Sequence, residues 1–378
     1  MKSETGGKIM WLAIFGVSIL VAVLSAIYLS RKIGTIGYFT NMENHTLARI
    51  LCLLSVIVIV VLLILVFDTT NMIVIVMHLA AFLLIGDLAG YIIRKAGNAD
   101  VRQQTVDLVA AALCVIYLII GWVLMHGMWE TDYGLATDKD CGSIRIAHIA
   151  DSHVGTGFSG KGFGERLAKI QAADPDILVI TGDFVDDSTQ KQDMLDACEA
   201  LSKFKTKYGI YYCLGNHDFG YYGSSHRGYT GEELLQTLRD SGVIVLQDES
   251  VLVDDRFYVI GRRDAGYGAA DRIPMADLIA DLDRSKYMIV LDHQPIDYDA
   301  EEASGVDLVL SGHTHGGQLW PLEYIQPLIS QNDNVRGYEK HGSTDFIVTD
   351  GISDWAIYFR TGCRSEYNLI CVNGDGFF

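Results

Sequence analysis

The chain has 378 residues and a net charge of −18, and its charged residues are unevenly distributed. Residues 1–128 contain eight Lys or Arg and six Asp or Glu, which leaves 21 basic and 41 acidic residues for residues 129–378. The second region is therefore near −20 and shows no basic stripe of the kind that releases counterions from nucleic-acid phosphates. This composition argues against nucleic acid as a partner and divides the chain in two.

Four apolar runs occupy the first region, and each approaches the ~20 residues that a helix needs to cross a bilayer. The first run is longer than a typical signal-peptide core and three more follow it, so we predict an uncleaved helix. Residues 1–128 are thus predicted to form an all-α, four-helix transmembrane region. The runs are about Trp11–Leu29, Ile50–Phe67, Met72–Ile93 and Val106–Met125.

Basic residues in the short loops predict the orientation of these helices, because cytoplasmic loops are enriched in Lys and Arg. The opposite side has only Lys2, Lys8 and, beyond the fourth run, Lys139. We therefore predict a multi-pass protein of the cell membrane with an extracytoplasmic C-terminal domain. The loops after the first and third runs contain Arg31, Lys32, Arg49, Arg94, Lys95 and Arg102.

Two ionisable residues, His78 and Asp87, lie inside the third run. They could mark an ion path, or Asp87 could be satisfied within a packed anchor, which is the interpretation we favour. Their spacing puts them on opposite helix faces, so they should not pair. Gly86 and Gly90, spaced four apart, predict close helix packing beside Asp87.

Seven cysteines are scattered along the chain without C-x-x-C spacing. Buried reduced thiols are the favoured interpretation over a structural disulfide. If a disulfide formed, Cys363 with Cys371 would be the first pair to test.

Residues 129–143 are polar and are predicted to be a linker, and residues 144–378 are predicted to be one domain. Short β-type runs alternate there with helical stretches, a pattern typical of a layered α/β domain. The predicted helices are Phe163–Ala173, Asp193–Phe204, Glu232–Ser241 and Met275–Ser285. The predicted strands are Ile144–Ile149, Ile177–Ile180, Tyr211–Leu214, Met288–Leu291 and Val306–Leu310.

Each of these five strands runs directly into a cluster of polar side chains. Ligands in open α/β sheets gather outside the carboxyl ends of strands, so the five clusters are expected to converge on one site. In strand order, the clusters contain Asp151 and His153; Asp183 and Asp186; Asn216, His217 and Asp218; Asp292 and His293; and His313 and His315.

The clusters offer carboxylate, imidazole and amide groups but no cysteine. That mixture suits two divalent ions of manganese, iron or zinc better than a thiolate zinc site or an all-oxygen calcium site. Such a pair clamps a phosphoryl group and generates hydroxide near neutral pH. One carboxylate has to bridge the two ions, and Asp183 is the candidate.

Taken singly, each cluster has an ordinary structural explanation, such as a turn, a capped loop or a packed core histidine. Five independent strand ends would all have to carry ligand-type residues by accident, however, and the joint pattern therefore favours a metal site.

The ordered motifs D-x-H, G-D-x-x-D, G-N-H-D, H and G-H-x-H resemble those of the calcineurin-like metallophosphoesterases. The G-H-T-H-G-G-Q form, and the segment from Arg360 to Glu366, resemble the membrane-associated bacterial branch. The resemblance implies a four-layer α/β sandwich, in which two mixed β-sheets are flanked by helices. It also implies a metal-dependent phosphoric ester hydrolase with two divalent ions, of which manganese is favoured.

The resemblance assigns a role to each motif residue. His217 would stabilise developing charge on the substrate or protonate the leaving oxygen, and Asp218 could orient its ring. One metal ion would be held by Asp151, His153, Asp183 and His315, and the second by Asp183, Asn216, His293 and His313.

Three positions depart from the family pattern without removing a ligand. Asp218 replaces the commoner Glu, Ser365 stands where Pro is usual, and Asp292 could add negative charge near the second metal. Arg262 and Arg263 could bind a second phosphate or be surface charges.

The aromatic segment from Tyr221 to Tyr229 could line a substrate groove, or it could be an ordinary surface loop. We expect a membrane-anchored phosphodiesterase, and its location favours lipid-linked or envelope-derived phosphate esters as substrates. The alternative is a membrane sensor that binds a phosphorylated ligand without turnover. A transporter module regulated by the soluble domain rests only on His78 and Asp87.

Overall fold

The computed structural model describes residues 2–97, 101–266 and 272–374, with side chains from Gly16 onward. The chain divides into two compact units, Met1–Ile120 and Gly121–Phe378. The boundary therefore lies within the fourth apolar helix and not after it.

The N-terminal unit is helical, as predicted. Among the described residues, four helices are long and apolar enough to cross a membrane, and each contains one of the predicted apolar runs. Asn44 begins one of them by accepting a hydrogen bond from the main-chain N–H of Leu47, at 3.0 Å. The helices are α1 (Lys2–Ile33), a short α2 (Gly37–Thr40), α3 (His45–Phe67), α4 (Thr69–Lys95) and α5 (Gln103–His126).

Asp87 of α4 is satisfied inside this unit. It accepts hydrogen bonds from Lys32, from the Tyr28 hydroxyl at 2.7 Å and from Gln103 at 2.8 Å. An added Cβ at Gly86 would lie 3.2 Å from Ala110 of α5, as expected for close helix packing. These contacts support the packed anchor over an ion path.

The described residues of the C-terminal unit form two six-stranded mixed sheets. The first sheet comprises β1 (Trp129–Ala136), β2 (Ser143–Ile149), β3 (Ile177–Thr181), β4 (Ile210–Cys213), β5 (Val243–Leu246) and β12 (Glu366–Asn373). The second comprises β6 (Glu249–Val253), β7 (Phe257–Gly261), β8 (Tyr287–Leu291), β9 (Leu308–Ser311), β10 (Gly337–His341) and β11 (Thr344–Val348). The first has the order β1-β12-β2-β3-β4-β5 and the second the order β10-β11-β9-β8-β7-β6.

Successive side chains of a strand point to opposite faces of its sheet, and this alternation explains the layers of the C-terminal unit. Ile177 and Val179 of β3 belong to the core between the sheets, whereas Leu178 and Ile180 belong to the core under the outer helices. A third core covers the far face of the second sheet. Both faces of each sheet are thus buried, which gives the predicted four-layer sandwich. The helices are α6 (Gly160–Ala172), α7 (Lys191–Lys203), α8 (Ser224–Arg227), α9 (Gly231–Asp240), α10 (Met275–Leu278), α11 (Tyr298–Ser304) and α12 (Leu322–Ile329).

Two element predictions are wrong. The segment expected to be a linker contains β1, an edge strand parallel to β12; its exposed alternate side chains, such as Glu130 and Asp132, gave it a loop-like polarity. The helix expected over Met275–Ser285 ends at Leu278. Further along the predicted helix, the Asp283 carboxylate accepts a hydrogen bond from the Ser285 N–H and stabilises a turn before β8.

All seven cysteines are free, and all but Cys371 are buried. The prediction of buried thiols is confirmed for six of the seven cysteines.

Asp292 and Arg262 form an ion-pair cluster that differs from both sequence-based interpretations. Arg262 is only 1% exposed and lies 3.0 Å from Asp292 and 3.1 Å from Glu301. Arg272 also pairs with Asp292. Arg262 is therefore neither a surface charge nor a phosphate ligand, and the negative charge of Asp292 is neutralised by two guanidinium groups.

Replacing Arg262 should destabilise the C-terminal unit, because buried Glu301 would lose its guanidinium partner and Asp292 would keep only Arg272. We expect Arg262→Met to lower the free energy of unfolding by about 3–5 kcal/mol. Thermal denaturation of the purified full-length protein would show this as a Tm lower by roughly 6–20 °C. Arg263→Met is the control: its side chain is 41% exposed and lies 3.6 Å from Asp248, so less than about 1 kcal/mol is expected. Equal losses in the two variants would contradict this assignment.

Candidate metal centre

The five predicted clusters converge on one edge of the sheets. β2, β3 and β4 are parallel neighbours, as are β8 and β9, so within each sheet the carboxyl ends lie at a common edge. Two groups of side chains form there, each with ligand atoms within 4.8 Å of one another. They consist of Asp151, His153 and His315, and of Asp183, His293 and His313.

Asp183 lies between the two groups. Its Oδ2 atom is 3.8 Å from Nε2 of His153 and 3.2 Å from Nε2 of His293. Oδ1 of Asn216 is also 3.2 Å from Nε2 of His293. The structure thus places Asp183 beside a histidine of each group, with Asn216 beside the second group.

Three of the imidazoles have Nδ1 close to an oxygen atom, and their Nε2 atoms face the carboxylates of the site. The Nδ1 atom of His293 is 2.8 Å from the carbonyl oxygen of Thr181. That of His153 lies 3.2 Å from Asp186, and that of His315 lies 2.8 Å from Asp354. Supporting contacts of this kind fix the tautomer and the ring orientation of metal-binding histidines.

Both ring nitrogens of His153 are buried without a hydrogen-bond partner among the residues that the structure describes, although Nδ1 lies 3.2 Å from Asp186. Buried nitrogen atoms normally have a partner, so Nε2, which faces two carboxylates, is available to bind a metal ion. The donor set of imidazole, carboxylate and amide oxygen suits divalent first-row metals. The residues therefore fit two metal ions.

The main chain is strained at the same positions. A positive φ is uncommon for residues other than glycine, and clusters of such residues mark functional sites. Gly312 allows the chain to approach closely here, because an added Cβ would lie 2.5 Å from Oδ2 of Asp151. The strained residues are Asp151, His153, Asp183, His313 and His315, with φ angles of 51°, 37°, 49°, 70° and 49°.

Asp218 has a different role from the one expected. Its carboxylate accepts hydrogen bonds from the main-chain N–H groups of Asp183, Phe184, Val185 and Gly215. Both oxygens are therefore committed to the two loops that present Asp183 and Asn216. The prediction that Asp218 orients the ring of His217 is wrong, and Asp218 instead fixes the shape of these loops.

Asp354 is a functional residue that the sequence analysis missed. It is fully buried and contacts both His315 and Arg360, at 2.8 and 2.6 Å. Arg360 also donates to main-chain carbonyl groups, including that of Ser353 at 2.6 Å. The R-x-G segment resembles a family feature, but only the fold shows that its arginine holds the carboxylate behind His315.

His217 lies at the open side of the site. Its main-chain N–H donates to Oδ1 of Asp183 at 2.9 Å, and its ring centroid is 5.1 Å from that of His153. Tyr221 and Trp355 flank the ring, with centroids 5.2 and 5.7 Å away. Tyr221, from the aromatic segment, also accepts a hydrogen bond from Asn216. At least this residue of the segment lines the site.

The electrostatic field of the site is set by its carboxylates. Burial lowers the pKa of His153, but the Asp186 hydrogen bond and the charges of Asp183 and Asp151 outweigh burial and raise it to about 9. Burial and the charge of Asp183 raise the pKa of Asp218 to about 6. Such a concentration of negative charge favours bound cations.

A profile of the calcineurin-like phosphoesterase family matches residues 144–317, which include all five clusters. An uncharacterized metallophosphoesterase of Aquifex aeolicus is 30% identical over 239 residues, which are 62% of this chain and 86% of that protein. The chain belongs to the calcineurin-like metallophosphoesterase family. The family implies a dinuclear centre of divalent metal ions.

Two further relatives are matched over a smaller share of their own length. One from Campylobacter jejuni is 32% identical over 239 residues, 61% of this chain and 59% of that protein. A transmembrane protein with metallophosphoesterase domain from Danio rerio is 26% identical over 294 residues, 73% of this chain and 64% of that protein. The chain thus spans less than two thirds of the length of each.

Replacing Asp354 should weaken metal binding without removing a ligand. Asp354→Asn keeps the shape but removes the charge that orients His315, and loss of such a partner typically weakens metal binding 10–100-fold. Calorimetric titration of the metal-stripped enzyme with Mn²⁺ measures this. Asp345→Asn is the control, because Asp345 is also buried but pairs with Lys340 at the opposite end of the strands. Unchanged affinity in Asp354→Asn would contradict the role given to Asp354.

Proposed function

We propose that this metallophosphoesterase is anchored in the membrane by its N-terminal helices and hydrolyses a phosphodiester with the help of two divalent metal ions. The observation that carries the proposal is the position of Asp183, whose carboxylate lies between two groups of ligand-type side chains. A dinuclear centre requires one such bridging carboxylate.

Seven residues would hold the metal ions, and Mn²⁺ is favoured because imidazole nitrogen and carboxylate or amide oxygen are present together. When bound, the ions would supply Lewis acidity and a hydroxide nucleophile near neutral pH. The first ion would be held by Asp151, His153, Asp183 and His315, and the second by Asp183, Asn216, His293 and His313.

His217 is proposed to act on the substrate. Its hydrogen bond to Asp183 keeps its main chain against the centre, and its ring packs between those of Tyr221 and Trp355. From this position the imidazole would stabilise charge on the phosphoryl group or protonate the leaving oxygen. Asp218 supports these steps indirectly, by fixing the loops that present Asp183 and His217.

Hydrolysis of bis-p-nitrophenyl phosphate and p-nitrophenyl phosphate tests the proposal. The full-length protein, stripped of metal and reloaded with Mn²⁺, should hydrolyse both, with the diester preferred. Asn216→Ala should lose turnover together with metal affinity. His217→Ala should retain bound metal but lose about 10²–10⁴-fold in kcat, the usual contribution of general acid–base catalysis.

Tight Mn²⁺ binding without turnover of either ester would instead support the non-catalytic sensor. A faster reaction with the monoester would contradict the phosphodiesterase assignment while leaving the metal-dependent hydrolase intact.

The catalytic unit is proposed to lie on the extracytoplasmic side, as the basic loops indicate. Protease added to intact spheroplasts should then digest the C-terminal unit, and a cytoplasmic marker protein should survive. Protection of the C-terminal unit until the membrane is permeabilised would reverse the assigned orientation.

An anchored enzyme meets membrane-bound substrates at a high effective concentration. Lipid-linked or envelope-derived phosphate esters are therefore the proposed substrate class.

A further inference from the structure

Helix α12 is exposed on an apolar face. It follows directly from the loop that carries His313 and His315, and none of its eight residues is buried. Leu328 is 82% exposed and Ile329 50%. We define the α12 apolar surface as Trp320, Leu322, Tyr324, Ile325, Leu328 and Ile329, all of them exposed.

The polar side of α12 is held against the catalytic unit. Glu323 lies 3.4 Å from Arg336, which in turn lies 2.7 Å from Asp350. An added Cβ at Gly317 would lie 2.6 Å from Cα of Glu323, so the helix starts in close contact with the metal-site loop. The apolar surface is therefore on the side directed away from the domain, where water would meet it in a soluble protein.

The end of the membrane helix α5 is built into the same unit. Residues Gly121–His126 belong to the catalytic unit. The Gly121 carbonyl accepts a hydrogen bond from the Arg360 N–H at 2.9 Å, and the Leu124 carbonyl accepts one from the Ser365 N–H at 2.9 Å. Arg166 donates to the carbonyl of His126 at 2.9 Å. The bonds to Leu124 and His126 satisfy two of the final carbonyl groups of the helix.

The loop that contains Thr361 contacts both the start of α12 and the end of α5. Thr361 donates its N–H to the Gln318 carbonyl at 2.9 Å and accepts the Trp320 N–H at 3.1 Å. On its other side, the Thr361 methyl group would lie 2.9 Å from a Cβ added at Gly121. The α12 apolar surface is thus adjacent to residues of a helix that is long and apolar enough to span a membrane.

Strand register places the metal centre at the same edge. β1 begins at Trp129, three residues after α5 ends, and Trp129 pairs with Glu366 of β12. Two residues further along β12, Asn368 pairs with His148 near the carboxyl end of β2, just before Asp151. The edge of the first sheet that bears metal ligands is therefore the edge next to the end of α5.

We propose that the α12 apolar surface lies in the headgroup region of the phospholipid bilayer that α5 crosses. This proposal rests on the proposed function, and it adds that the metal centre faces the bilayer and acts on phosphoesters of amphiphiles. Three aromatic residues, Trp122, Trp320 and Tyr324, are exposed in this region. Trp and Tyr are enriched at membrane interfaces because they present an apolar body and a polar tip.

Lipid contact can be measured without any catalytic activity. The full-length protein would be reconstituted in nanodiscs with phospholipids brominated near the headgroup, which quench nearby tryptophan fluorescence. Trp320→Phe should lower the quenched fraction relative to wild type. Adding Leu252→Trp to that variant is the control. Leu252 is 41% exposed on the edge strand β6 and pairs with Tyr258, far from the edge of the sheets that carries the metal-ligand residues. Its tryptophan should not be quenched.

An equal quenched fraction in wild type and Trp320→Phe would overturn the bilayer contact. Self-association that is lost in Leu328→Glu, together with unchanged quenching, would assign the surface to a second copy of the chain and also overturn it.

Delivery of the substrate is tested with two esters that share one reacting group. Hexadecyl 4-nitrophenyl phosphate is presented in the bilayer, and ethyl 4-nitrophenyl phosphate is presented in solution. Leu328→Glu should lower turnover of the hexadecyl ester about ten-fold or more while the ethyl ester is hydrolysed at the wild-type rate. Leu252→Glu should change neither rate. Equal effects of Leu328→Glu on the two esters, or no effect on either, would overturn the delivery role.

Absence of turnover of the ethyl ester by the Mn²⁺-loaded wild type would contradict the proposed function. The quenching measurement would still decide the membrane contact.

Discussion

The positions of the metal-ligand residues depend on how two buried carboxylates, Asp183 and Asp218, are accommodated side by side. Asp218 is satisfied by four main-chain N–H groups, which pull the loops after β3 and β4 into one compact turn. That turn directs Asp183 toward the histidines of both groups. Without Asp218, the strained φ of Asp183 would have no evident support. The geometry of the candidate metal site therefore depends on hydrogen bonds accepted by Asp218, which is not itself a candidate ligand.

A second support comes from Arg360 and connects the site to the end of α5. Through Asp354, its guanidinium group holds His315. Through its own main-chain N–H, the same residue binds the carbonyl of Gly121. One buried arginine thus orders both a metal ligand and the last turns of a helix that is apolar enough to cross a membrane. The proposed contact of α12 with the bilayer would give this arrangement a functional reason.

Much of the fold and of the candidate site was predictable because short segments of the sequence encode it. Strands with both faces buried are recognisable as apolar runs, and the polar residues after β2, β3, β4, β8 and β9 marked the site before any geometry was known. The failures also have local causes. β1 is an edge strand with polar alternate residues, so its composition resembled a loop. Arg262 and Asp292 are distant in sequence, and nothing in either motif showed that they neutralise each other.

The sequence by itself determined the apolar helices, the layered α/β architecture and the identity of the candidate ligands, because hydrophobic periodicity and residue chemistry are properties of short segments. Only the tertiary structure decided that Asp183 lies between the two ligand groups, that Asp218 and Asp354 act behind the ligands, and that α12 lies beside the end of α5. Those facts depend on contacts between residues far apart in the chain, and such contacts exist only after the sheets have paired and packed.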